Sequence, residues 1–324
     1  MNAPSVGHLR KFLPAVLLLV CTSAAQAQTG WDALLAGASL AQAETALQRD
    51  LERDPTDAGA AFGLALVQQA KGEREKAVVT ALEGLRNAPG APLAFLLEDL
   101  AGDDATYNQA TTRLVAEALP ILTARPEMDP LVRFNLRWLG YELASRSGDR
   151  EARLAAMARA GFVPGALFSK AQKDLSRVGF YDAGPPERGD FSRTPWNYSR
   201  MDGLQCRPPA YETPDDREFN IYALVPFNVD KAQDALLYFN AAKPFQVLLD
   251  GRTLLVKDVF KRQEDPTAVR RVTLAAGSHR LLIKMHGGRN DAGIHVALLD
   301  MAGEPLAATW GERLSRPQRA MIGW

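Results

Sequence analysis

The chain has 324 residues, 47% of them hydrophobic, and its 38 basic and 38 acidic side chains give a formal net charge of zero. Such a composition excludes a largely disordered chain, and the absence of a basic excess argues against nucleic acid as a partner. The length is sufficient for two ordinary domains.

The N-terminus has the three parts of a secretory signal. His8, Arg10 and Lys11 form a polar, basic start, "FLPAVLLLVCTSAA" is an apolar core, and "AQA" at 25–27 supplies small residues for cleavage. The apolar run is shorter than the roughly 20 residues that a membrane-spanning helix needs. We therefore predict a signal peptide at 1–27, a periplasmic or extracellular location in a bacterium, and no membrane span after cleavage.

Two other interpretations of this N-terminus stay open. The segment is also compatible with an uncleaved anchor, or with a lipoprotein modified at Cys21, although Val20 stands where lipoprotein signals carry a small residue. Cleavage before residue 28 would leave Cys206 as the one cysteine. The mature chain could then form no internal disulfide and would depend on its core.

Helical periodicity dominates residues 31–164. The residues are mainly Ala, Leu, Glu, Gln and Arg, and apolar positions recur at helical spacing in short segments that end in Gly or Pro. Pro55 and Pro89 are 34 residues apart, and between them lie Gly72, Ala77 and Ala81 at the spacing of two helices that pack closely. This segment resembles a tetratricopeptide repeat, with 58–91 the clearest copy. The resemblance implies a solenoid of helix pairs that binds a protein partner.

The following segment, 165–216, lacks sustained periodicity and is rich in Pro, Gly, Asp and Arg. We predict an irregular connecting segment that packs on the second domain, with Phe191, Trp196 and Tyr198 as its anchors. Burial of one aromatic side chain contributes about 2–3 kcal/mol, which can hold a segment of little regular structure in place.

Strand patterns occupy residues 217–305, and a short tail is expected at 306–324. Seven short apolar segments are separated by turns, among them Asp250–Gly251, and no helical segment intervenes. The pattern predicts an antiparallel β-sandwich. The whole chain is therefore predicted to be an α + β multidomain protein, an N-terminal α-solenoid followed by a β-sandwich.

A resemblance makes the second domain more specific. The sandwich resembles a galactose-binding-like jelly roll in seven residues: Asp250, Gly251, Leu274, Gly277, His279, Leu281 and Lys284. Together with the repeats and "GFYDAGPPERG" at 179–189, it is similar to the N-terminal part of exported bacterial repeat proteins that carry a transglutaminase-like domain. No transglutaminase-like sequence follows here, so the chain is interpreted either as a stand-alone module or as the front part of a longer protein.

The hairpin "RVTLAAGSHRLLIKMHGG" carries the candidate histidines. Alternation along the second strand predicts Leu281, Ile283 and Met285 on the inner face, and Lys284 and His286 on the outer face or rim. We expect His279 to hydrogen-bond the turn. The predicted ligand-contacting residues, for a possible glycan, are Trp196, Tyr198, His286, Arg289, Asn290 and Asp291. The alternative for Trp196 and Tyr198 is packing on the sheet.

No catalytic or cofactor motif is present in the sequence. Cys206 has no histidine at a recognisable spacing, and the group His286, His295 and Asp291 does not match a known metal motif. We therefore expect no enzyme activity, no cofactor and no metal. The predicted function is an exported non-catalytic scaffold or adaptor. The alternatives are a carbohydrate-binding protein and the accessory front part of a transglutaminase-like protein.

Overall fold

The computed structural model describes residues 28–102, 109–170, 178–192, 194–200, 219–241, 244–258, 267–287 and 294–311. The predicted signal peptide at 1–27 lies outside these ranges, as do Cys206, Arg289, Asn290 and Asp291. The chain divides into two compact units, a helical unit of Met1–Leu143 and a β unit of Ala144–Trp324. The protein is therefore an α + β protein.

Helices make up the described part of the first unit. Their bounds are α1 Gln28–Leu35, α2 Leu40–Arg53, α3 Ala58–Ala70, α4 Arg74–Asn87, α5 Ala91–Gly102, α6 Gln109–Thr123 and α7 Pro130–Arg146, and α8 Arg150–Arg159 follows in the β unit. No described helix is long and apolar enough to cross a membrane.

Helix ends follow local sequence signals. Ser39 and Gln42 form a reciprocal capping box at the start of α2, and Asp57 caps α3 by accepting a hydrogen bond from the backbone N–H of Ala60 at 2.9 Å. Between α3 and α4, Gly72 has a φ of +81°, a conformation that glycine adopts without steric cost. The predicted interhelical turn at Gly72 is therefore present.

The helices of this unit stack in chain order. Each helix from α1 to α5 contacts the next one, and α1 also contacts α3, α3 contacts α5, and α4 contacts α6. Ala77 and Ala81 are fully buried on α4, where a larger residue would separate the helices. These contacts agree with stacked helix pairs, whereas a tetratricopeptide solenoid as such stays a prediction.

The β unit contains two antiparallel sheets. The strands are β1 Gly165–Ser169, β2 Trp196–Arg200, β3 Phe219–Val229, β4 Gln233–Ala241, β5 Phe245–Leu249, β6 Arg252–Lys257, β7 Thr267–Leu274, β8 Gly277–Gly287, β9 Ile294–Asp300 and β10 Thr309–Trp310. The larger sheet has the order β2-β1-β3-β8-β5-β6, with β10 also paired to β3, and the smaller one has the order β7-β4-β9. Within the described residues, neither sheet is closed. A one-turn helix, α9, covers Val178–Tyr181.

The longest ladder determines which side chains share a face. β3 pairs with β8 from Phe219 opposite Gly287 to Val229 opposite Gly277. The two sheets meet at Phe239 of β4 and Phe245 of β5, whose ring centroids are 4.4 Å apart. Antiparallel pairing agrees with the predicted sandwich, whereas the jelly-roll assignment stays a prediction.

Two expectations about irregular segments are wrong. The segment 165–216 contains β1 and β2, which pair with each other and extend the large sheet next to β3. The predicted tail contains β10, which also pairs with β3. All five residues of β1 are buried, so β1 shows no alternation of polar and apolar residues, and β10 has only two residues. β1 and β10 therefore could not be recognised from the periodicity of the sequence.

Candidate functional site

A groove with a volume of about 310 Å³ runs along α2, α3 and α4. Its lining residues on α2 and just after it, Gln48, Leu51, Glu52 and Pro55, are spaced i, i+3, i+4 and i+7. Those on α4, Thr80, Glu83, Gly84 and Asn87, have the same spacing. This spacing places each set on one face of its helix, so two helix faces form the walls and α3 supplies the floor.

The floor of the groove combines close packing with one polar side chain. A Cβ atom on Gly84 would lie 2.8 Å from the Cβ of Ala61, so glycine is what allows α4 to approach α3 at this level. Gln68 of α3 is only 7% exposed, and its Oε1 accepts a hydrogen bond from the Thr80 hydroxyl at 2.8 Å. Among the described residues, the Nε2 of Gln68 has no hydrogen-bond acceptor. An amide donor therefore remains available at the groove floor.

The walls of the groove are acidic and rich in amides. Glu52 and Glu83 are exposed carboxylates, Gln48 and Asn87 are exposed amides, and no Lys, Arg or His is among the eleven lining residues. Arg53, the neighbour of Glu52, forms an ion pair with Asp50. The groove thus presents hydrogen-bond acceptors and negative charge at neutral pH.

The turn of the β8 hairpin is held by His279. Its Nδ1 is 2.7 Å from Oδ2 of Asp250, and its Nε2 is 2.8 Å from the carbonyl oxygen of Ala275. Because a carbonyl only accepts, Nε2 carries a proton and donates it. Asp250 also accepts from the backbone N–H of Arg280 at 2.8 Å. The prediction that His279 hydrogen-bonds this turn is confirmed.

His286 does not lie on a solvated rim. It is 2% exposed, its Nδ1 is 2.9 Å from Oδ1 of Asn220, and its ring lies 6.4 Å from that of Phe180. His286 lies on the face opposite Met285, as the alternation predicts, but its predicted solvent exposure is wrong because residues 178–192, which we call the strap, cover this face of β8. Leu282 and Lys284 on the same face are also buried.

Beneath the strap lies a buried ion pair. The Nζ of Lys284 donates to Oε2 of Glu187 at 3.0 Å and to the carbonyl of Asp182 at 2.5 Å. The same Oε2 accepts from the Tyr222 hydroxyl and from the backbone N–H of Gly184, each at 2.6 Å. Burial, followed by the hydrogen bond to Glu187, raises the pKa of Tyr222 well above its usual range. With every one of these groups paired, the cluster is a structural attachment of the strap.

The two aromatic candidates lie close together on β2. Trp196 is half-buried, donates its Nε1–H to the carbonyl of Phe191 at 3.0 Å, and packs against the apolar cluster under the strap. Tyr198 is 40% exposed and borders, with Pro226 and Trp310, a recess of about 10 Å³. That volume holds about one water molecule and is too small for a sugar ring.

The remaining candidates do not assemble into a described site. Arg289, Asn290 and Asp291 are outside the described residues, and His295 is 8% exposed with its ring 6.4 Å from that of Phe162. Within the described ranges, no three His, Cys, Asp or Glu side chains come together in a group that could hold a metal ion.

The groove residues were not among the sequence candidates. A signal for one of them existed, because Gln68 interrupts the apolar segment "AFGLALVQQA" of α3 at a position that the repeat spacing makes internal. Recognition of Glu52 and Glu83 required the structure, since exposed glutamates on helices are usually only solvated.

Comparison with known proteins finds remote structural similarity alone. No protein-family model matches the sequence, and no curated protein matches it significantly. Similar solved structures include a β-glucosidase from Kluyveromyces marxianus in complex with glucose, at 8% identity and a TM-score of 0.30 over 42% of this chain and 17% of that one. A GH31 α-xylosidase from Xanthomonas citri has 8% identity and a TM-score of 0.29 over 46% of this chain and 15% of that one.

The PA14 domain of the MpAFP antifreeze protein has 12% identity and a TM-score of 0.25, with 44% of this chain and 89% of that one covered. The chain spans about a sixth of the length of the two glycosidases. TM-scores at this level do not establish a shared fold, so the function has to be argued from the groove and its side chains.

Proposed function

We propose that the protein is a non-catalytic scaffold or adaptor whose helical unit binds a partner protein in the α2–α4 groove. The observation that carries this proposal is the groove itself, about 310 Å³ in volume and lined by acidic and amide side chains. Its volume is much larger than that of the recess in the β unit, which is about 10 Å³.

The arrangement of helices supports a repeat architecture for this unit. Contacts between neighbouring helices and between helices two apart are those expected of stacked helix pairs, and Gly72 and Pro89 stand at the turn and the end of the clearest copy. We infer a tetratricopeptide-like pair in 58–91. Such stacks bind partners on their exposed helix faces, and the groove is lined by faces of this kind.

The β unit is assigned an accessory role. The strap covers the outer face of the large sheet around β8, and a galactose-binding-like sandwich in this unit stays part of the proposal. A glycan site has less support, since Trp196 packs under the strap and the recess beside Tyr198 accepts about one water. Glycan binding by the full chain that is lost in Tyr198→Ala would favour the carbohydrate alternative instead.

Export forms the remaining part of the proposal. The signal at 1–27 would deliver the scaffold to the periplasm or the cell exterior after cleavage behind "AQA". N-terminal sequencing of the protein recovered outside the cytoplasm tests this, and we expect Gln28 as the first residue. A chain that retains residues 1–27 would contradict cleavage.

Site-directed photo-crosslinking in cells tests the binding role. A photoreactive residue at Gln48 or Asn87, on the two groove walls, should crosslink the full-length chain to one and the same partner. The control position is Glu75, an exposed residue of α4 that does not line the groove. The proposal would be overturned if Glu75 gave the same crosslinked adduct in equal amount, or if neither groove position gave an adduct.

A further inference from the structure

The groove has a charge and hydrogen-bonding pattern that limits what can bind there. We propose that it takes an extended peptide segment carrying Lys or Arg side chains, so that the partner is recognised through a basic strand-like stretch. This inference rests on the proposed binding function and specifies its ligand class.

The first argument is charge complementarity. The lining residues include two carboxylates, Glu52 on one wall and Glu83 on the other, and no cationic side chain. Arg53, the residue next to Glu52, is ion-paired with Asp50. A ligand with lysine or arginine side chains would pair with the carboxylates, whereas an acidic one would be repelled from both walls.

A second argument is the supply of amide groups. An extended peptide exposes backbone N–H and C=O groups that need partners when water is displaced. Gln48 and Asn87 line the two walls with both donors and acceptors, and on the floor the Nε2 of Gln68 is a donor with no described acceptor. Gln68 is 7% exposed, and an acceptor on the ligand would pair with its amide group at the groove floor.

The shape of the floor limits the ligand further. Gly84 and Ala61 bring α3 and α4 together without bulky side chains, and Leu64 adds apolar surface to the floor. Apart from Gln68, the polar side chains lie on the walls, and the apolar surface lies between them. A single extended strand, whose side chains alternate in direction, can present basic groups to the walls and small ones to the floor.

Fluorescence anisotropy with defined peptides tests the inference. The probe is a labelled, acetylated octapeptide of alternating Lys and Thr, titrated with the full-length chain. Matched peptides carry Glu or Gln in place of Lys. We expect the Lys peptide to bind at least about tenfold more tightly than the Gln peptide, with affinity falling as salt rises, and the Glu peptide not to bind.

Matched variants distinguish the groove from general surface charge. Glu83→Lys should weaken binding of the Lys peptide about tenfold, whereas Glu75→Lys, the same change at an exposed position of α4 that does not line the groove, should leave it within about twofold. Gln68→Met, which removes the floor donor but keeps similar volume, should weaken binding about threefold to tenfold. Circular dichroism confirms that each variant is folded.

The outcomes separate this inference from the function on which it rests. Equal affinity for the Lys and Gln peptides, or equal losses in Glu83→Lys and Glu75→Lys, would overturn the basic-peptide inference. Should a partner still crosslink at Gln48 and Asn87 but not at Glu75, the scaffold function would stand with a different ligand class. If the peptides show no selectivity and no partner crosslinks specifically at Gln48 and Asn87, the proposed binding function is contradicted as well.

Discussion

Lys284 Nζ lies 3.0 Å from Glu187 Oε2, although the two residues are 97 positions apart in the sequence and their side chains are only 1% and 8% exposed. Removing two charges from water is unfavourable, and it is tolerated only where each charge is paired and its remaining hydrogen bonds are made. Tyr222, Gly184 and the carbonyl of Asp182 complete these bonds. The pair therefore fixes the strap on the sheet at one defined position.

Removal of one partner should be strongly destabilising. Lys284→Met leaves the Glu187 carboxylate buried without its counter-charge, and we expect a loss of about 3–5 kcal/mol in the free energy of unfolding. Urea denaturation measures it. The control Lys231→Met changes an exposed lysine and should stay within about 0.5 kcal/mol. Comparable effects of the two substitutions would show that the buried pair does not hold the strap.

The stability of the helical unit should depend on Glu98. Burial, with a smaller effect of Glu142 and Asp99, raises the pKa of its carboxyl from 4.5 to about 7. The folded chain therefore holds the proton more tightly than the unfolded chain, so this contribution to stability is full below pH 4.5 and is lost as the pH rises through about 7.

Thermal unfolding at pH 5 and pH 8 tests whether the contribution of Glu98 to stability falls as the pH rises. We expect Glu98→Gln, which imitates the protonated form, to be about 1–3 kcal/mol more stable than the parent at pH 8 and nearly equal to it at pH 5. Glu75→Gln, on an exposed position, should change neither value. A parent chain that gains stability relative to Glu98→Gln on going from pH 5 to pH 8 would contradict the assignment.

The β5–β6 turn depends on Asp250 in two ways. Its φ of +51° is unfavourable for most residues, and its carboxylate lies 2.7 Å from Nδ1 of His279 and accepts a hydrogen bond from the backbone N–H of Arg280. We expect Asp250→Val to cost about 2–3 kcal/mol, whereas Asp250→Asn, which tolerates this φ and keeps one acceptor oxygen, should cost about 1 kcal/mol. Chemical denaturation compares the two, and equal losses would show that backbone strain does not contribute.

Glycine has two different roles in the helix stack. Gly72→Ala meets no atom within 4 Å and should cost about 1 kcal/mol through its positive φ alone, with peptide binding unchanged. Gly84→Ala introduces a Cβ 2.8 Å from that of Ala61 and must displace α4 from α3. We expect Gly84→Ala to reduce both stability and groove binding. Binding that survives Gly84→Ala but fails in Gly72→Ala would contradict the placement of the groove.

The sequence predicted the α + β fold class, but it did not predict which polar side chains of the β unit are buried. Helical spacing, Gly72 and the Asp250–Gly251 turn each have a local physical cause, so they could be recognised without tertiary contacts. Strand alternation placed Lys284 and His286 on the face opposite the sheet core, but it could not show that the strap buries them. That cover comes from a segment about 100 residues earlier in the chain, which no local pattern reveals.

Recognition of the candidate site required packing information. Gln68 lies in the middle of an apolar helix, and its spacing shows that it is internal, but only the position of Thr80 shows which of its atoms is already hydrogen-bonded. Glu52 and Glu83 become a pair only when α2 and α4 stand on either side of α3. For Tyr198 the sequence suggested a ligand contact that the structure does not support, because the recess beside it is too small for a sugar ring.

Hydrogen–deuterium exchange of the full chain, with and without the Lys–Thr octapeptide, locates the peptide-binding surface. We expect slower exchange in residues 48–55, 61–68 and 80–87, which carry the groove, and no change in β3 or β8. Protection confined to strands or loops of the β unit, with the three helical segments unchanged, would contradict the assignment of binding to the groove.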